Sequence, residues 1–229
     1  MVMPGQFLER PTLIDLGGRC LEALWHRGDA RPALLILAPH PHFGGGSMDA
    51  PLCLELAFAA TRRGHPTLRF NWRGVSASQG QIGGLAESLD DARQALAALA
   101  ANVHHGEIAV AGYGFGAEVA CALARSREMA LAGLFLIAPD EARCPLDQLD
   151  QFDQLGHLTT TAPCLVLPES DWPLDAALGD RLAAAGVALE VIPGADRSFT
   201  EGLVQAGAAV ARRLGELGAP GRRWSAPTP

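Results

Sequence analysis

Three glycines within five residues, Gly112, Gly114 and Gly116, separate a strand-like run, Glu107 to Ala111, from a helix-like run, Ala117 to Arg127. A chain that passes from strand to helix this quickly must turn sharply. Glycine permits such a turn through its access to positive φ and to close backbone approach. The apex position, Gly114, is itself glycine, so the turn presents no side chain there.

The rest of the chain repeats the strand-helix alternation. Leu21 to Trp25 suits an early antiparallel strand, and Ala33 to Ala38 is apolar throughout, as a strand buried on both faces is. Further strands are expected at Thr67 to Asn71, Leu131 to Ala138, Pro163 to Leu167 (ending at Pro168) and Ala188 to Ile192. Helices are expected at Ala50 to Arg63, Glu87 to Ala101, Asp175 to Ala185 and Thr200 to Leu217. Gly74 to Gly84 reads as a glycine- and serine-rich loop, and Pro139 to Leu158 as an acidic, irregular insert. This order predicts an α/β fold: a mostly parallel sheet with helices on both faces and right-handed crossovers. One domain is expected over residues 1–218, with a disordered tail over 219–229. Ligands of such sheets bind at the carboxyl ends of the strands. The loops His40 to Ser47, Arg73 to Gly80, Gly112 to Gly116, Glu169 to Trp172 and Gly194 to Phe199 all fall there.

Composition narrows the function. The 229 residues carry a formal net charge of −7 without a basic cluster, which argues against nucleic acid and anionic membrane surfaces as partners. No apolar run approaches a membrane span. Met1 to Arg10 lacks a charged region followed by an apolar core, so a cytoplasmic protein is expected. Cys20, Cys53, Cys121, Cys144 and Cys164 have no CxxC spacing and read as reduced, buried thiols; Cys53 lies nearest a glycine-rich loop. His40 and His42, at i and i+2, lack a third metal ligand, and His104-His105 reads as a solvated helix end. No metal and no cofactor are expected.

Several motifs carry a resemblance. They are His40-Pro41-His42-Phe43-Gly44-Gly45-Gly46-Ser47-Met48, the run Leu68-Arg69-Phe70-Asn71-Trp72-Arg73-Gly74-Val75-Ser76-Ala77-Ser78-Gln79-Gly80, and Glu87 with Asp90. Gly112-Tyr113-Gly114-Phe115-Gly116-Ala117, Ile137-Ala138-Pro139 and Pro193-Gly194-Ala195-Asp196-Arg197-Ser198-Phe199 follow. Over about residues 30 to 215 the chain resembles a small bacterial family of the α/β-hydrolase superfamily, related to the dienelactone hydrolases. That family carries HPHP-x-x-GG-x-M, LRFNFRGVG-x-S-x-G, GE-x-x-D, G-[YF]-S-F-G-A and PGADHFF. Here the first motif lacks its second proline and is one residue shorter, and Ala86 replaces the glycine of the third. The resemblance implies a sheet of about eight strands.

The departures fall on the reacting positions. The family's serine aligns with Gly114 and its histidine with Arg197; the best match to its acid is Asp171, in the shortened Pro168-Glu169-Ser170-Asp171. Glycine has no nucleophilic atom, and arginine stays protonated at working pH and cannot act as a general base. The expected protein is therefore non-catalytic, a ligand-binding or protein-interaction module with a degraded triad. Its pocket is expected to involve His40, His42, Phe43, Gly114, Phe115 and Arg197. The Phe115 amide and a second amide near His42 or Phe43 are expected to persist as anion donors. Arg197 then either adds positive charge for a small carboxylate or phosphate, or forms a fork with Asp171 that fills the hole. Two alternatives are a carboxylic-ester hydrolase with a displaced nucleophile, drawn from Ser47, Ser76, Ser78 or Cys53, and a structural subunit of a larger assembly. The insert and the tail residues Arg222, Arg223 and Trp224 are the expected partner-facing pieces. Arg69, Asn71, Arg73, Glu87 and Asp90 read as a polar brace for the glycine loops.

Overall fold

The computed structural model describes residues 8–42, 45–104, 106–140, 159, 162–171 and 176–217. Eight strands form one sheet: β1 (Arg10–Asp15), β2 (Cys20–His26), β3 (Ala33–Leu37), β4 (Thr67–Phe70), β5 (Ile108–Tyr113), β6 (Gly133–Ile137), β7 (Cys164–Pro168) and β8 (Ala188–Ile192). Their spatial order is β1-β2-β4-β3-β5-β6-β7-β8. β1 pairs with β2, and β2 with β4, antiparallel. The remaining pairs are parallel.

Every residue of β3, β4, β6 and β7 is buried, and the continuous apolar runs of β3, β6 and β7 reflect cover on both faces. Alternate side chains serve opposite cores. Leu35, Leu37, Val110, Leu134 and Leu136 pack toward α2 (Leu85–Asn102) and α3 (Phe115–Ser126), with Leu182 of α4 (Ala176–Ala184) on the same side. Leu34, Ile36, Ala109, Phe135 and Val166 pack toward α1 (Pro51–Arg62) and α5 (Leu203–Leu217). No described helix is long and apolar enough to cross a membrane.

Some elements differ from expectation. β1 was not expected: its sequence RPTLID contains a proline, and only Ile14 is buried, as befits an edge strand. Leu131 makes only an isolated bridge, to Thr159, and β6 begins at Gly133. β7 begins at Cys164 and, as expected, ends at Pro168, opposite Ile192. Residues 141–158, which hold most of the acidic insert, and 218–229, which hold the tail, lie outside the described residues.

Candidate active site

β5 delivers the chain to the carboxyl end of the sheet, and α3 starts at once. Gly114 sits between them at φ 57°, ψ −117°. Its amide donates to the Ile137 carbonyl at 2.9 Å, and its carbonyl accepts from the Ala117 amide at 3.0 Å. The flanking glycines are required by space. A Cβ on Gly112 would lie 2.1 Å from the Gly116 carbonyl oxygen, and one on Gly116 would lie 2.3 Å from that of Leu37. A Cβ on Gly114 would meet only the Cβ of Pro39, at 3.6 Å, an ordinary contact. A serine would thus fit at the apex, at the cost of a positive φ. This is the geometry of the strained strand-to-helix turn that exposes a nucleophile, with an apex that bears no atom beyond Cα.

His40 forms one wall. Its Nδ1 accepts from the His42 amide at 3.2 Å, which places the ring proton on Nε2, 3.4 Å from the Gly83 carbonyl. The His40 ring meets the Phe115 ring edge-to-face at 4.8 Å, and Phe115 in turn meets Trp72 at 6.2 Å. Phe115 therefore gives its ring to the core and only its amide to the apex. The second anion donor was expected near His42 or Phe43, and the His42 amide is engaged by the His40 ring. Phe43 lies outside the described residues.

The loops that follow β7 and β8 are zipped together. Glu169, just past β7, accepts the Gly194 amide at 2.8 Å, and Ser170 donates to the Ala195 carbonyl at 3.0 Å. The Asp171 carboxylate accepts the backbone amide of Arg197, and the Tyr113 hydroxyl donates to the Arg197 carbonyl at 2.9 Å. Burial pushes the Tyr113 hydroxyl up to about 12, so it stays a donor. Gly114, Asp171 and Arg197 thus gather at one end of the sheet. The side-chain fork between Arg197 and Asp171 is not formed: both residues are exposed, and Arg197 answers Asp171 through its main chain.

The polar brace exists and extends further than expected. Arg73 holds Asp91 Oδ1 through Nε at 2.9 Å and Nη2 at 2.6 Å, and reaches Asp90 at 2.9 Å. Asp91, 0 % exposed, also accepts the Arg73 amide at 3.0 Å. It was missed because only Asp90 matches the family motif. Asn71 accepts from the Met48 amide and donates to Glu22, whose carboxyl is lowered chiefly by that bond. Arg69 is buried and binds the Met48 carbonyl, Asp49 and Glu9. Glu87 caps the Gly84 amide at 2.9 Å.

The candidate displaced nucleophiles have structural partners. Ser78 Oγ donates to the Asn71 carbonyl at 2.7 Å and accepts from the Glu22 amide at 2.9 Å. Ser47 Oγ accepts from the Asp49 amide, and Ser76 adds a minor part to the lowering of the Glu22 carboxyl. Cys53 is buried, and desolvation pushes its thiol up to about 12, far from a reactive thiolate. A hydroxyl does meet an imidazole at 2.9 Å, Thr67 with His26 Nδ1, but both are buried at the opposite end of the sheet. Among the described residues no group of three His, Cys, Asp or Glu side chains is placed to hold a metal ion.

No known family profile and no curated protein matches the chain. Many solved structures do. An α/β serine hydrolase homologue from Coxiella burnetii superposes with a TM-score of 0.69 at 24% identity, over 93% of this chain and 99% of the other. A protein of unknown function from Agrobacterium tumefaciens, provisionally classed as an α/β hydrolase, gives 0.72 at 24% identity over 93% and 100%. An α/β serine hydrolase without a lid from Xanthomonas campestris gives 0.70 at 20% identity over 89% and 92%. The chain has the α/β-hydrolase fold. Likeness at these identities establishes the fold and leaves the chemistry to the residues at the site.

Proposed function

We propose that this protein is a non-catalytic α/β-hydrolase-fold protein whose elbow holds a small carboxylate or phosphate instead of cleaving an ester. The observation that carries the reading is the apex itself. Gly114 keeps the backbone of a nucleophile turn, φ 57° and ψ −117°, and supplies nothing that can attack. The loop position where a general base is expected holds Arg197, which stays charged. The serines and the cysteine nearest the site are engaged in turns or buried.

Support for anion binding comes from the same geometry. The Phe115 amide stands at the first turn of a 12-residue helix, where backbone donors and the helix dipole favour negative charge. The missing side chain leaves space above it, and the Arg197 guanidinium is exposed and not engaged by Asp171. The test is hydrolysis of short-chain p-nitrophenyl esters by the native protein and by a Gly114→Ser/Arg197→His double variant. Silence from the native chain is the expected result; activity in the double variant would show that the oxyanion donors persist. Native turnover abolished by changing Ser47, Ser76, Ser78 or Cys53 would overturn the reading in favour of a displaced nucleophile.

A further inference from the structure

A second concavity lies at the other end of the sheet. It is an open groove of about 840 Å³ between the β1–β2 hairpin, the β2–β3 loop and the C-terminal end of α2. Arg10, Trp25 and Leu68 are cross-strand neighbours on β1, β2 and β4, so their side chains share one sheet face. Leu68 marks that face as the α2 side. Arg27 and Arg31 enter from the loop beyond β2.

Arginines line this groove on more than one side. Several other guanidinium groups are matched: Arg69 to Glu9 and Asp49, Arg73 to Asp90 and Asp91, Arg212 and Arg213 to Glu190. Arg10, Arg27 and Arg31 are exposed, and their guanidinium groups make no hydrogen bond or ion pair with any described residue. Three unmatched guanidinium groups thus line one groove of a chain whose formal net charge is −7. Opposing them are the single carboxylate of Asp29 and the C-terminal carbonyls of α2. That opposition disfavours one small anion resting at the helix end. It favours a ligand whose several anionic groups reach the arginines on either side. Guanidinium is planar and binds phosphate or carboxylate through paired N–H donors. Trp25, half-buried between Arg10 and Leu68, offers an indole surface to a flat ring. The volume suits an organic molecule better than an inorganic ion.

We propose that this groove is a second ligand site, independent of the elbow, for a small organic polyanion: two or more phosphate or carboxylate groups on the arginines and a planar apolar body against Trp25. The test is calorimetric titration of the whole protein at low salt with ATP, inorganic tripolyphosphate and adenosine as probes. Saturable ATP binding is expected, with tripolyphosphate weaker and adenosine weaker still. Arg27→Gln/Arg31→Gln should weaken ATP by about tenfold or more, the scale of losing charge-assisted bonds, and Trp25→Leu should weaken ATP but not tripolyphosphate. Arg212→Gln, beside β8 at the opposite edge of the sheet, should leave ATP unchanged. Circular dichroism and thermal melts confirm that each variant is folded. No saturable ATP binding, binding unaffected by the Arg27/Arg31 change, or binding lost in Arg212→Gln would each overturn the proposal. Tripolyphosphate binding as tightly as ATP would overturn the role of Trp25.

Discussion

The Asp171 carboxylate accepts the backbone amide of Arg197, not its guanidinium. This acid orients a loop through its main chain. The distinction has a measurable consequence. Arg197→Ala keeps the amide and should change unfolding free energy by less than about 0.5 kcal/mol, as for a surface side chain. Asp171→Ala removes the acceptor and should cost about 1 kcal/mol, the scale of one hydrogen bond. Urea unfolding of both variants checks this. A large loss in Arg197→Ala would mean that the side chain supports the loop after all.

The elbow glycines should respond unequally. Gly116→Ala drives a Cβ to 2.3 Å from the Leu37 carbonyl oxygen, and β3 must move to accept it. Its cost should exceed about 3 kcal/mol, in the range of severe core changes. Gly114→Ser meets only an ordinary contact and bears the penalty of a positive φ, about 1–3 kcal/mol. Denaturation midpoints should therefore place Gly114→Ser well above Gly116→Ala.

Arg73 touches two neighbouring carboxylates that should differ in weight. Asp91 is fully buried and holds both the Arg73 guanidinium and its amide. Asp91→Ala leaves a buried cation without its main partner and should cost about 3 kcal/mol or more. The Asp90 side chain is half-exposed, and Asp90→Ala should cost under about 1 kcal/mol. Equal losses in thermal melts would contradict this ranking.

Burial holds His26 neutral and lowers it from 6.5 to about 4, with Glu9 opposing the shift and Arg69 adding to it. The unfolded chain takes up the proton more readily than the folded one over that interval. Stability is therefore full above pH 6.5, falls as the pH drops from 6.5 toward 4, and levels off below it as far as this group is concerned. His26→Gln, which keeps a polar group facing Thr67, should flatten that slope when urea unfolding is repeated between pH 4 and 7.5.

Much of the fold was legible in the chain because its signals are local. The apolar runs of β3 and β6 are buried on both faces, so no polar residue interrupts them. The three elbow glycines announce a turn that other residues cannot make. β1 was illegible because an exposed edge strand needs no hydrophobic alternation; its pairing with β2 supplies the order. Asp91 was hidden beside Asp90 because neighbouring residues on a helix face different directions, and only packing decides which one is buried.

The same division holds at the two sites. Sequence alone determined that the apex carries no nucleophile and that no imidazole stands at Arg197, since these are facts of residue type. Tertiary structure decided how the remaining groups are used. It turned the His42 amide toward the His40 ring, joined Asp171 to a main-chain amide, and left the Arg197 guanidinium exposed. It also brought Arg10, Arg27 and Arg31, scattered through the first strands and loops, to one groove beside Trp25. Hydrogen-bond direction and cross-strand register depend on where distant segments of the chain meet, and no local run of residues carries that information.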